Sequence, residues 1–166
     1  MGLGSWYRRR FIGRVKALRT LVKILELFRG EIRYGKAAMP ECCKNMAIRL
    51  EEPYRESLQN VYRIYSEYQV YGGACGERFT FRDVFCAEME QCFADLPLKP
   101  EDKTAFLEPF QGRGFQDGEM QMKYLEQGIE QLRDLIGIAE RELPGKCRLA
   151  LSLGGMCGLL MVIVLL

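Results

Sequence analysis

Residues 117–143 read DGEMQMKYLEQGIEQLRDLIGIAEREL, and within them Met122, Leu125, Ile129, Leu132, Ile136, Ala139 and Leu143 alternate steps of three and four without interruption. That spacing lines one face of an α-helix with apolar side chains. Asp117 stands where an N-cap is wanted, because its carboxylate can accept an N–H that the first turn leaves open. The pattern predicts the long central helix of a bundle, with a dimeric coiled coil as the alternative.

A second stretch of the same kind runs from Tyr7 to Tyr34, where Phe11, Val15, Leu18, Val22, Leu25 and Ile32 mark the apolar face and Ile12, Leu21 and Phe28 widen it. Its back is basic, with Arg8, Arg9, Arg10, Arg14, Lys16, Arg19 and Lys23. Both helices reach roughly 40 Å at 1.5 Å per residue. Equal reach predicts that they pair antiparallel. Between them the chain is punctuated into four shorter helices. Pro40 and Glu41 open one that runs to about Leu50, and Pro53 opens another that carries Tyr54, Leu58, Val61, Tyr62 and Tyr65 as far as Tyr68. Thr80 and Asp83 have the spacing of a capping box ahead of Phe81, Val84, Phe85, Met89 and Phe93, with Pro97 as the stop. Pro100, Glu101 and Asp102 start the last short helix, which is expected to end near Pro109. The segments 70–78 and 112–114 read as loops. No strand pattern competes, so the fold class is all-α: about six helices, two of them long and antiparallel, with the four short ones expected at the far end of the long pair.

The last eighteen residues, Leu149–Leu166, hold ten Leu, Val and Ile and no charge, behind Lys146 and Arg148. As a helix this run reaches roughly 27 Å, close to the ~30 Å hydrocarbon core of a bilayer. Its aliphatic residues favour insertion by roughly 3 to 6 kcal/mol, less what Ser152 and the glycines take back. A C-terminal transmembrane anchor is therefore expected over 146–166. The basic cluster of Arg141, Lys146 and Arg148 would hold the body of the protein, residues 8–145, in the cytoplasm. Residues 1–35 carry nine Lys and Arg against Glu26 and Glu31, so both basic ends of the long pair would meet the headgroups. Trp6, Tyr7, Arg8, Arg9, Arg10, Lys146 and Arg148 form the expected membrane-surface belt, which suits the order Trp-Tyr-Arg better than a nucleic-acid arm does. Ala150, Gly154 and Gly158 make a small-residue stripe that invites close packing of another membrane helix.

Catalysis finds little footing. The chain has no His, which removes the commonest general base and the commonest metal ligand. Its seven Cys include no C-x-x-C pair, and the adjacent Cys42 and Cys43 point about 100° apart on a helix. They read as buried thiols in a reducing compartment. Gly112-Arg113-Gly114 lacks the strand and lysine of a phosphate loop and reads as a turn. No catalytic, metal or cofactor residue is assigned, and no nucleic acid or small-molecule substrate is expected.

Separated blocks of the chain resemble the stage III sporulation protein AB family. They are the Arg-rich entry to Leu18, Leu21 and Leu25; Glu31-Ile32-Arg33-Tyr34-Gly35 followed by Met39-Pro40-Glu41; Gly114-Phe115-Gln116-Asp117 with Gln121; and the glycine-containing run from Leu153-Gly154 to Val162-Ile163. Two departures stand out: Arg113 replaces a usual Leu, and residues 1–7 are expected to be the tail end of a membrane helix that family members carry ahead of the Arg-rich stretch. The resemblance implies a non-enzymatic part of a secretion-like channel complex between mother cell and forespore. It implies a location in the mother-cell membrane, an ATPase and ring-forming subunits as partners, and a soluble domain similar to platform-protein domains of type II secretion. The charge split adds Glu51, Glu52, Glu88 and Glu90 as the candidate docking surface for such partners, on helices expected opposite the basic membrane face. The reading from another class is a peripheral membrane-binding or membrane-remodelling protein that acts through its basic helix and tail anchor.

Overall fold

The computed structural model describes residues 2–34, 38–71, 80–111 and 119–141, all of them in helices or short connections. Helix α1 spans Gly2–Tyr34, so it starts five residues ahead of the apolar pattern. Helix α2 is Met39–Ala47, α3 Tyr54–Tyr71, α4 Phe81–Cys92 and α5 Pro100–Gln111. The sixth helix, α6, covers 119–141. No strand occurs among the described residues. The expected anchor, Lys146, Arg148 and the stripe of Ala150, Gly154 and Gly158 lie outside them. Among the described residues no helix is long and apolar enough to cross a membrane.

Local chemistry sets the helix ends. At α4 the capping box forms as its spacing predicts: Asp83 N–H donates to the Thr80 hydroxyl and Thr80 N–H donates to the Asp83 carboxylate at 3.0 Å. The Thr80 hydroxyl, which also donates to this carboxylate at 2.6 Å, and the Thr80 N–H hold the Asp83 carboxyl below its ordinary range. At α3, Glu52 takes the capping role by accepting the Glu56 N–H at 3.1 Å. At α5, Asp102 reaches back to accept the Lys99 N–H at 2.9 Å. Helix α4 ends at Cys92, five residues before Pro97, because Phe93 already closes the last turn. Helix α5 runs two residues past Pro109. The carbonyl that Pro109 leaves without its usual donor, that of Ala105, faces Gly128 of α6, where an added Cβ would stand 3.5 Å from it.

The four short helices do not gather at the far end; they lie along α1 in an up-and-down series. The end of α2 sits at the level of Lys23, whose ammonium donates to the Arg49 carbonyl at 3.3 Å. Through Tyr65, Phe81 and Phe85, the upper part of α3 and the start of α4 stack to the level of Phe28. The α4–α5 connection returns to the level of Gly13, where Pro97 lies against α1. From Asp102 beside Arg14, α5 climbs back to Phe110 beside Phe28. The far-end expectation fails because the short helices share one core with Leu18, Leu21, Leu25 and Phe28 of α1, packing against one another as well as against it.

Leu18, Leu21, Leu25 and Phe28 of α1 are fully buried, as are Phe85, Met89, Phe106 and Phe110. The rings of Phe85 and Phe110 approach to 4.4 Å, and Phe28 meets both edge-on at 5.6 and 5.2 Å. Such edge contacts add about 0.5–1.5 kcal/mol each beyond the area they bury. Ile12, expected in the apolar face, is instead 50 % exposed, and the buried face there is held by Val15 and Leu18.

Candidate interaction surface

Long helices α1 and α6 are joined at three levels by ion pairs. Arg19 meets Glu140 at 2.7 Å, Arg133 meets Glu26 at 2.7 Å, and Arg29 meets Glu126 at 3.9 Å. The partners' numbers rise on one helix as they fall on the other, which fixes the pair as antiparallel. Leu125, Ile129, Leu132 and Ala139 are buried between these exposed bridges. The α6 stripe therefore packs within its own chain, and the intrachain bundle rather than the coiled-coil alternative accounts for it. Where α1, α5 and α6 converge, Gly128 leaves no room for a side chain: a Cβ would lie 2.5 Å from Pro109 Cγ and 3.2 Å from Leu25 Cδ1.

Arg14 does not belong to the basic back of α1. It is 5 % exposed, and Asp102, fully buried, accepts from its Nε at 2.8 Å and from its second terminal nitrogen at 2.7 Å. This forked pair links α1 to the first turn of α5 across 88 residues of sequence. The same carboxylate caps α5, so one side chain both starts a helix and docks it. Sequence reasoning found the helix start and missed the docking, since nothing local marks which of nine α1 cations turns inward.

The other expected site residues fall in different places. Arg9 and Arg10 are exposed on α1; Trp6, Tyr7 and Arg8 belong to the same helix. Glu51 and Glu52 are exposed at the α2–α3 corner, beside Lys16 and Lys23 rather than far from them. Glu52 is engaged with Arg55 at 3.8 Å and with the Glu56 N–H. Glu88 is half-buried and Glu90 exposed, both on α4. Glu51 and Glu52 thus share a groove with the basic helix.

Cys42 and Cys43 are fully buried, and Cys92 nearly so. Burial, with Glu31 nearby, pushes the Cys42 thiol up to about 11, and burial beside Cys42 raises Cys43 further. Burial also raises Cys86 and Cys92, the latter against a hydrogen bond from Ser57. Thiols held protonated in this way are poor nucleophiles and poor metal ligands. The residues of two resemblance blocks meet near the tip of the bundle, where buried Gln121 donates from Nε2 to Met39 Sδ at 3.6 Å.

Comparison with known proteins bears on this architecture directly. The family model for stage III sporulation protein AB matches residues 1–166. A solved structure titled stage III sporulation protein AB (SpoIIIAB) superposes with a TM-score of 0.67 at 16 % identity, covering 80 % of this chain and 98 % of the other. Comparison with curated proteins gives no match. The six-helix up-and-down bundle is thus also seen in that structure, and the chain belongs to the stage III sporulation protein AB family.

Proposed function

We propose that the protein is a non-enzymatic, membrane-anchored scaffold of the sporulation channel complex, coupling an ATPase to membrane and ring subunits through helix contacts. The observation that carries this reading is the bridged α1/α6 pair. It brings the chain, after five helices, back along α1 in the direction of the α1 N-terminus, with Glu140 held against Arg19 at mid-helix. The apolar run 149–166 follows in sequence, so a rigid two-helix stem continues toward the proposed anchor. The side chains most suited to chemistry support the same reading, because burial raises the Cys42 and Cys43 thiols while Arg14 and Asp102 are forked onto each other. On this reading the soluble body lies in the cytoplasm of the mother cell, with Trp6, Tyr7, Arg8, Arg9, Arg10, Lys146 and Arg148 at the headgroups.

Fractionation of the native host tests the anchor. The full chain is expected in the membrane pellet, and a chain lacking 149–166 in the supernatant. Full-length protein found free in the supernatant overturns the anchor. Affinity purification in mild detergent tests the scaffold: an ATPase and ring subunits are expected to come with it. Binding to anionic vesicles with no protein partner would favour a peripheral lipid-binding protein instead.

A further inference from the structure

Cations of α1 that face a neighbouring helix are matched with acids: Arg14 with Asp102, Arg19 with Glu140, Arg29 with Glu126. Lys16 and Lys23, one heptad apart on the same helix, have no carboxylate partner among the described residues. Both line a groove of about 470 Å³ where the α2–α3 corner and the α4–α5 connection close on α1. Ala17, Leu50 and Tyr54, each no more than 5 % exposed, form its apolar floor, and Leu96 and Pro97 extend it. Arg49 joins the two lysines in the lining, and Ile48 beside it is 75 % exposed. Against these three cations stand Glu51 and Glu52, of which Glu52 is already engaged with Arg55.

We propose that this groove docks a segment of a partner protein, one that presents acidic side chains to Lys16, Lys23 and Arg49 around an apolar anchor seated on Leu50 and Tyr54. The inference rests on the scaffold reading, in that the occupant is a protein. Lys16 and Lys23 stand about 10 Å apart along the helix, the separation of two acidic residues seven apart on a partner helix. A groove of this size takes several side chains, and its mixture of apolar floor and convergent charge is the usual make-up of a recognition site. An anionic bilayer is the poorer occupant. A plane of headgroups bridges a concavity without filling it.

The test uses the full chain in its native host with a photo-crosslinking amino acid at Thr20, which lines the groove, and at exposed Gln131 on α6 as control. Mass spectrometry of the Thr20 adduct is expected to give a protein segment with acidic residues flanking an apolar one. Lys16→Glu, Lys23→Glu and Arg49→Glu together are expected to lower that yield about tenfold or more, whereas Lys16→Arg with Lys23→Arg retains it. An unchanged thermal midpoint shows that the triple variant is folded. Adducts only to lipid or to a second copy of this chain, no adduct at Thr20, or a yield indifferent to the charge reversal overturns the groove. If the ATPase and ring subunits still co-purify in that case, the groove falls and the scaffold stands; if no protein co-purifies, the scaffold falls as well.

Discussion

Helix α1 is held both by α5 and by α6, and the two attachments are built from different chemistry. Toward α5 it offers Arg14, buried and forked onto Asp102, beneath a stack of phenylalanines. Toward α6 it offers an apolar seam edged by ion pairs whose members are 39 to 67 % exposed. Burial makes the first attachment costly to damage. Exposure leaves the second energetically mild and informative about orientation. A buried pair that loses one partner leaves an uncompensated charge, while a surface pair loses only a screened attraction.

Asp102→Ala is expected to break this contrast most severely. It strands the Arg14 guanidinium and removes the cap of α5, so chemical denaturation should show a loss of about 3–5 kcal/mol. A loss below about 1 kcal/mol would mean that the pair is solvated and the two attachments of α1 are alike. Gly128→Ala comes next. The added methyl collides with Pro109, whose ring cannot rotate away, so α5 and α6 must part at a cost of about 1–3 kcal/mol. The control is Gly137→Ala, where no atom lies within 4 Å of the new Cβ. It should be neutral or stabilising, by up to about 1 kcal/mol, from helix propensity alone.

Alkaline titration reads the burial of α2 and of the start of α3 without mutation. Cys42, Cys43 and Tyr54 have folded-state values raised by burial, so each favours the fold fully below its unfolded value and loses that contribution as pH rises through the folded one. Stability should hold to about pH 9 and then fall, by about 2 kcal/mol from Cys42 alone, toward pH 11, where Cys42 titrates. A Cys42→Ala variant with the same alkaline loss would take Cys42 out of the account. The smallest effect belongs to the seam: Arg133→Glu or Glu26→Arg alone should cost less than about 1 kcal/mol, and the double exchange should recover most of it. A larger loss that the exchange does not repair would give the seam a weight equal to that of the core.

Helix positions were legible because they rest on local signals: the period of Leu125, Ile129 and Leu132, the capping spacing of Thr80 and Asp83, and Pro100 ahead of two acids. What stayed hidden depends on partners distant in sequence. Gly128 and Gly137 are equivalent as letters in a helical pattern, yet only Gly128 lies against a proline of another helix. Arg14 looked like any other member of a basic stripe until Asp102 met it from 88 residues away. Glu51 and Glu52 read as part of an acidic tip because total charge was split by sequence position, whereas the return of α2 toward Lys23 brings them back to the basic helix. The antiparallel pairing of the long helices followed from equal length alone, because short connections leave few other ways to bury two apolar faces.

The bridges between α1 and α6 alternate in sign along each helix: on α1 Arg19, Glu26, Arg29, and on α6 Glu140, Arg133, Glu126. Sliding one helix by two turns would set Arg19 against Arg133 and bring like charges face to face. The stem is thereby toothed against axial slip, so a load applied at its far tip travels down to its base as movement of a single strut.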